Sequence, residues 1–137
     1  MPQSSNIVSR IKLAGLFLLL FSITVFAGQD IFDDIAGAIR SGDARAITKF
    51  FGNNVDLTIL SQEEMYSKAQ AEQLLKDFFS KNTPSTFTII HKGVSKEGSK
   101  YAIGNLVTSQ GITYRTYFYI KQSGGNSIIQ ELRFMNE

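Results

Sequence analysis

The sequence predicts an α+β domain in which a curved antiparallel sheet carries three N-terminal helices on one face. The sheet is predicted to contain one short strand followed by a four-stranded meander. The last third of the chain supports this, because runs rich in Ile, Val, Thr, Tyr and Phe alternate there with glycine-containing dipeptides, a strong hairpin signal. Amphipathic helical patterns precede these runs, and helices segregated from strands along the chain are typical of α+β domains.

The N-terminal region differs from the rest in composition. Arg10 and Lys12 precede an apolar run over 13–26, and residues 25–27 place small side chains where signal peptidases cleave. The run has about 14 residues, fewer than the roughly 20 that a membrane-spanning helix needs. These features predict a cleaved signal peptide, with an uncleaved membrane anchor as the alternative.

We therefore expect two parts: a signal peptide over 1–27 and a single α+β domain over 28–137. The domain is expected to be periplasmic or secreted, with membrane contact only through the signal peptide before cleavage. A lipid anchor is not expected, because no cysteine follows the apolar run.

Charge and composition argue against several functions. Without Arg10 and Lys12, the mature chain has twelve basic and twelve acidic side chains, so no nucleic-acid partner is expected. The chain has no cysteine and one histidine, His91, and we expect no metal site because zinc sites are built from these residues. We expect no cofactor, since no phosphate-binding glycine loop precedes a helix.

Two short helices are predicted at the start of the domain. Isoleucines recur every four residues over 31–39, which predicts an amphipathic helix. Ser41-Gly42 is expected to end it. Asp43 is a good N-cap for the second helix, predicted over 44–51.

One strand and a third helix are predicted next. Val55, Leu57 and Ile59 alternate with polar residues, as in a half-buried strand. Ser67 and Gln70 form a capping-box pattern at the start of the third helix. The meander then follows, with strands predicted over 86–94, 101–109, 112–121 and 127–135 and turns at Glu97-Gly98, Gln110-Gly111 and Gly124-Gly125.

This order resembles the nuclear-transport-factor-two-like superfamily of cystatin-like α+β cones. The resemblance rests on residues 39–43, Ile-Arg-Ser-Gly-Asp, followed by Phe50-Phe51 and Val55, and on the final strand over 126–134. The chain looks most like the small exported bacterial members of unknown function. The superfamily includes isomerases, hydrolases and non-catalytic binding modules, so the resemblance implies a fold without choosing a function.

A register assigns side chains to the two faces of the meander. If each turn dipeptide forms the two central residues, Ile103 faces Phe118 and Phe118 faces Glu131. The resemblance implies that this face points into the cone. Its candidate ligand-pocket residues are Asn105, Tyr114, Thr116, Glu131 and Arg133. The opposite face carries large side chains that we expect to form a homodimer interface: Leu106, Tyr117, Tyr119, Leu132 and Phe134.

The main functional hypothesis is a non-catalytic domain that binds a small apolar or amphipathic ligand, or a partner protein, in the cone. A few polar groups within apolar walls describe such a pocket. One alternative is an isomerase- or hydrolase-like enzyme with Glu131 as acid–base group and Arg133 or Tyr114 as the group that holds an oxyanion. Another is a purely structural dimer with a filled cone. Mutual neutralisation of Glu131 and Arg133 is the favoured interpretation of that pair, because buried charges must be paired whether or not they function.

Overall fold

A computed structural model describes residues 30–137 of the chain. The predicted signal peptide over 1–27 lies outside these residues. The described elements are α1 (Ile31–Ser41), α2 (Ala44–Thr48), β1 (Phe51–Ile59), β2 (Gln62–Ser67), α3 (Lys68–Lys81), β3 (Pro84–Val94), β4 (Lys100–Thr108), β5 (Thr113–Ser123) and β6 (Asn126–Asn136). None of the described helices is long and apolar enough to cross a membrane. The predicted α+β class with three helices is confirmed.

The strands form one curved, unclosed sheet in the order β2-β1-β6-β5-β4-β3. The meander β3–β6 is antiparallel, as predicted. β1 pairs antiparallel with β2 but parallel with β6. The prediction of a purely antiparallel sheet is therefore wrong at this pair, because the intervening hairpin, helix and meander bring the chain back beside β1 in the same direction.

β2 is a strand that the sequence analysis does not predict. The β1–β2 hairpin turns at Leu60-Ser61, so that Ile59 pairs with Gln62. Leu60 has a φ of 59° and is the one non-glycine residue with positive φ among residues 30–137. Two-residue hairpin turns usually place glycine or asparagine at such a position, and the absence of that signal concealed the hairpin.

The helices begin where the capping residues indicate. The side chain of Asp30 accepts from the amide of Phe32 at 3.2 Å, and Asp43 accepts from the amide of Ala46 at 3.2 Å. Ser67 and Gln70 form both hydrogen bonds of the predicted capping box, which is confirmed. α2 is shorter than predicted and ends at Thr48, because the chain has already entered β1 at Phe51.

The helices cover one side of the sheet, which we call the inner face. Phe118, Leu132 and Phe134 are 0% exposed there. The ring of Phe78 on α3 stacks on Phe134 at 5.0 Å, and the ring of Phe32 on α1 lies 6.3 Å from Phe118. These side chains fill the interior of the cone. The opposite side of the sheet is called the outer face.

Two turns of the meander differ from the prediction and change the register. The β4–β5 loop has three residues, because Thr108 donates its amide to the carbonyl of Ile112 at 2.9 Å. Gly111 is the left-handed residue of this loop, with φ 82°, a geometry that is common in three-residue hairpins. The β3–β4 loop has the same form, with Gly98 at φ 84°. Because each of these loops has three residues and not two, the residue pairs that adjoin the loop between β3 and β4, and every pair across β4 and β5, are shifted by one position from the predicted register.

The β5–β6 turn is two-residue, as predicted, with Ser123 opposite Asn126. The register then shifts within the ladder, because Ile120 pairs with Ile129 whereas Tyr119 pairs with Glu131. Gln130 is the extra residue of this β-bulge. A one-residue shift moves every later side chain to the other face of the sheet, and sequence alternation alone does not reveal it.

Candidate functional site

The five residues predicted as a dimer interface lie on two different faces. Leu106, Leu132 and Phe134 are 0% exposed in the core beneath the helices. Tyr117 and Tyr119 are half-buried on the outer face. The predicted placement of the first three on an uncovered face is wrong, because the loop lengths and the bulge shift the register.

The five predicted pocket residues are divided in the same way. Tyr114 and Thr116 are buried on the inner face, whereas Asn105, Glu131 and Arg133 are half-buried on the outer face. The structure brings Glu131 and Arg133 together, but on the side of the sheet away from the cone. The polar cluster predicted inside the cone is therefore not formed.

Two rows of directly paired residues cross the outer face. The first row consists of Glu63, Thr58, Arg133, Tyr117, Ile103 and His91. The second consists of Met65, Asp56, Glu131, Tyr119 and Tyr101. Paired side chains in a sheet lie close enough to interact. The outer face therefore joins an aromatic region on β4 and β5 to a charged region on β1, β2 and β6.

Arg133 is the central cation of the charged region. Its Nε donates to Oε1 of Glu131, and its Nη2 forms ion pairs with the same oxygen and, at 3.5 Å, with Oε1 of Glu63. Burial by itself lowers the pKa of Arg133, but the hydrogen bond and charge of Glu131, together with Glu63 and Asp56, outweigh burial and raise the pKa. Arg133 is therefore a permanent positive charge, and Glu131 is engaged as its acceptor.

Tyr117 is the residue of the aromatic region that adjoins the charged region, because it pairs directly with Arg133. The guanidinium carbon of Arg133 lies 5.9 Å from the centre of the Tyr117 ring, within the range of a cation–π contact. Burial raises the pKa of Tyr117, and the negative charge of Glu131 raises it further. A shallow depression of about 310 Å³ lies over this part of the face, between Ile103 and Met135.

Two residues of the charged region were not predicted from the sequence. Asp56 and Glu63 each place a carboxylate oxygen near Glu131, and the three oxygens lie within 4.8 Å of one another. Glu63 was missed because its strand, β2, was not predicted. Asp56 alternates with the apolar residues of β1, which could have identified it as an outer-face residue.

A second cavity lies between the β1–β2 hairpin and the end of α3, and we call it the cone mouth. It has a volume of about 180 Å³. Its apolar wall consists of Ile59, Leu60, Leu74 and Phe78. Its polar groups belong to Gln62, Tyr66, Asp77, Lys81 and Asn82. The sequence analysis did not identify this cavity, because Leu60 and Gln62 belong to the hairpin that carries no glycine signal.

The polar groups of the cone mouth differ in how firmly they are held. Asp77 and Lys81 form an exposed ion pair at 3.2 Å, and Asn82 is held by a hydrogen bond from Tyr114. Burial raises the pKa of Tyr66, and the charge of Glu64 and a hydrogen bond with it raise the pKa further. The Tyr66 hydroxyl therefore keeps its proton at neutral pH and is engaged with Glu64.

The comparisons with known proteins agree with this fold. The sequence profile of a family described as "Domain of unknown function (DUF4783)" matches residues 32–135. No curated protein is significantly similar to the chain.

Three solved structures illustrate the similarity. A DUF4783 family protein from Bacteroides ovatus is 27% identical, with a TM-score of 0.73 over 80% of this chain and 98% of that chain. A DUF4783 family protein from Bacteroides fragilis is 28% identical, with a TM-score of 0.71 over 79% and 100%. A domain of unknown function with a cystatin-like fold from Nostoc punctiforme is 8% identical, with a TM-score of 0.61 over 77% and 72%. The last similarity concerns the fold alone, and the predicted resemblance to cystatin-like cones is confirmed.

Proposed function

We propose a function for this chain, which belongs to the DUF4783 family of domains of unknown function. In this proposal it is a non-catalytic domain that binds a small amphipathic ligand at the cone mouth. The family description assigns no activity. The proposal therefore depends on the geometry of this cavity.

The backbone of Leu60 is the observation that carries the proposal. A non-glycine residue in the left-handed region costs roughly 1–2 kcal/mol, and strain of this kind clusters at ligand-binding and active sites. Leu60 has a φ of 59° and is 39% exposed. Its amide donates to the carbonyl of Phe134 at 2.7 Å, which anchors the turn while the side chain remains at the edge of the cavity. This hydrogen bond thus keeps the strained turn in place, with an apolar side chain where a ligand would contact it.

The lining of the cavity indicates the class of ligand. Leu74 and Phe78 offer an apolar surface beside Leu60, and the Lys81 ammonium at the rim can donate to an oxygen of a ligand. The volume of about 180 Å³ is below the roughly 300–1,000 Å³ of pockets for drug-sized ligands. A short alkyl chain with a polar or anionic end fits both features.

Octanoate is a suitable probe, with binding measured by isothermal titration calorimetry on residues 28–137. We expect Leu60→Gly and Leu60→Ala to weaken binding by about tenfold, which corresponds to about 1.4 kcal/mol of lost contact. Leu60→Gly should also raise the melting temperature, since it relieves the backbone strain. Ile112→Ala removes an exposed apolar side chain from another turn and should bind octanoate like the parent.

Two results would contradict the proposal. Failure of the parent to bind octanoate at millimolar concentration would remove the cone mouth as a site for amphipathic ligands. Equal affinity for the parent and both Leu60 variants would show that the strained residue has no part in binding.

The outer face supports a second candidate function, self-association. Tyr101, Tyr117 and Tyr119 are half-buried there beside Ile103 and Met135, and tyrosine and methionine are enriched at protein interfaces. A twofold-symmetric contact is the commonest arrangement of homo-oligomers. A second copy of the chain would bury these side chains without disturbing the inner face.

A further inference from the structure

Three carboxylates meet on the outer face where β2, β1 and β6 lie side by side. Asp56 on β1 pairs directly with Glu131 on β6, and Glu63 on β2 pairs with Thr58, two positions along β1. The three side chains place oxygens within 4.8 Å of one another. Like charges at this distance repel each other strongly unless positive charge lies among them.

Arg133 supplies part of that positive charge. It contacts Glu131 and Glu63, and three carboxylates with one guanidinium leave a formal charge of −2. Oδ1 of Asp56 is shielded from solvent and has no hydrogen-bond partner among the described residues. The cluster therefore retains a net negative charge, and one of its carboxylate oxygens has no hydrogen-bond donor within residues 30–137.

Thr58 is an independent indication of a ligand at the same place. It is 6% exposed, and its Oγ1 has no hydrogen-bond partner in the described part of the chain. Thr58 lies between Glu63 and Arg133 in the ladder and shares the outer face with Asp56. A buried hydroxyl without a hydrogen-bond partner is unfavourable, because it has lost its contacts with water and gained none in the protein. A cation held by oxygen ligands would satisfy both this hydroxyl and the free oxygen of Asp56.

We propose that Asp56, Glu63 and Glu131 bind a divalent cation, Ca²⁺, above Thr58 on the outer face. Ligand sets of oxygen alone suit hard cations and not zinc or copper. Ca²⁺ accepts six to eight oxygens in flexible geometry, whereas Mg²⁺ needs a near-ideal octahedron. Side chains from three separate strands can provide the flexible coordination of Ca²⁺ more readily than the regular octahedron that Mg²⁺ needs. The expectation of no metal site considered cysteine and histidine ligands, which this cluster does not use.

Arg133 competes with the cation for the same carboxylates. Its side chain is 35% exposed, and its guanidinium carbon lies 5.9 Å from the centre of the Tyr117 ring while it contacts the carboxylates. A cation that enters the cluster would therefore have to displace the guanidinium from these carboxylates. This competition places the affinity in the weak range, about 10⁻⁴–10⁻³ M, that is known for extracellular calcium modules.

Tb³⁺ luminescence tests the proposal on residues 28–137. The chain has no tryptophan, and Tyr119 pairs directly with Glu131, so excitation of tyrosine should sensitise a bound Tb³⁺. We expect saturable emission from the parent that Ca²⁺ displaces. Glu63→Gln should weaken binding by at least tenfold, and because the Glu63 side chain is 54% exposed, this variant should fold.

Two further variants make the test specific. Glu64→Gln changes the neighbouring residue of the same strand, whose side chain lies on the opposite face, and it should bind Tb³⁺ like the parent. Arg133→Gln removes the competing cation and should tighten binding severalfold. Circular dichroism shows whether each variant is folded, so that a loss of cation binding can be distinguished from unfolding.

Three results would overturn the proposal. One is the absence of sensitised emission, or of any Ca²⁺-dependent rise in melting temperature, at millimolar cation. Another is emission that Ca²⁺ does not displace. The third is an equal loss of binding in Glu64→Gln and Glu63→Gln, which would indicate general attraction to the acidic strand. None of these results bears on octanoate binding, which concerns the inner side of the hairpin.

Discussion

The hydroxyl of Tyr114 on β5 donates a 2.7 Å hydrogen bond to Oδ1 of Asn82, the residue that ends α3. Nδ2 of Asn82 donates in turn to the carbonyl of Phe78 at 3.0 Å. The rings of Tyr114 and Phe78 meet edge to face at 5.4 Å. One amide thus joins the end of the helix to the middle of the sheet and fixes the inner wall of the cone mouth.

We expect Tyr114→Phe to lower the free energy of unfolding by about 1–2 kcal/mol, because it leaves the Asn82 oxygen without its donor. Urea denaturation measures this change. Tyr119→Phe, on the outer face, is the matched control and should leave stability nearly unchanged. A parent-like midpoint for Tyr114→Phe would show that water replaces the phenol at no cost.

Substitution by alanine should change the stability of the domain in opposite directions at Gly104 and Gly37. A Cβ on Gly104 would lie 2.7 Å from Cζ of Phe87 and 2.7 Å from the carbonyl oxygen of Thr88, so Gly104→Ala should destabilise the domain by about 1–3 kcal/mol. Gly37 lies inside α1, and beyond the backbone of that helix no heavy atom lies within 4 Å of the position that a Cβ would take. Gly37→Ala should therefore stabilise the domain by up to about 1 kcal/mol. Thermal melts of both variants test this difference, and a stable Gly104→Ala protein would contradict the close packing of β3 on β4.

Tyr119→Arg should yield a folded monomer if the domain self-associates through the outer face. The substitution would place two like charges near the twofold contact. Sedimentation at about 50 μM, where a dimer of micromolar affinity is mostly associated, should show a dimer for the parent. Ile112→Arg, at an exposed turn, should remain dimeric. A monomeric parent would refute this mode of association.

Alkaline pH should weaken the fold through Tyr117. Burial and then the charge of Glu131 raise the pKa of Tyr117, so the folded chain holds this proton more tightly than the unfolded chain. The resulting stabilisation is complete below the unfolded pKa of about 10 and is lost as pH rises through the higher folded pKa. We expect the unfolding free energy of Tyr117→Phe to fall less steeply than that of the parent between about pH 9 and 11. Parallel curves would contradict the predicted linkage.

The sequence was sufficient to predict the turns and helix caps that have strong local signals. Gly124-Gly125 forms its two-residue turn, and Ser67 with Gln70 forms the capping box. A capping box or a two-residue turn is formed by a few neighbouring residues. The conformational preferences of those residues are enough to determine it, whatever the rest of the fold.

The site residues could not be placed because they depend on register. Gly98 and Gly111 provide the left-handed residue of three-residue loops, and the same dipeptides would suit two-residue turns equally well. The bulge at Gln130 has no local signal. Each of these features is a one-residue difference, and each moves residues such as Glu131 and Leu132 between the core and the outer face.

The parallel pairing of β1 with β6 also affects how the domain is made. Leu57 finds its partner Leu132 far along the chain, and contacts of such long sequence separation slow folding. During folding, the β1 edge of the β1–β2 hairpin stays unpaired until residues 126–136 join it. An unpaired strand edge is a template for pairing with other chains. Until β6 joins it, the β1 edge of the hairpin is therefore open to pairing with a strand of another chain.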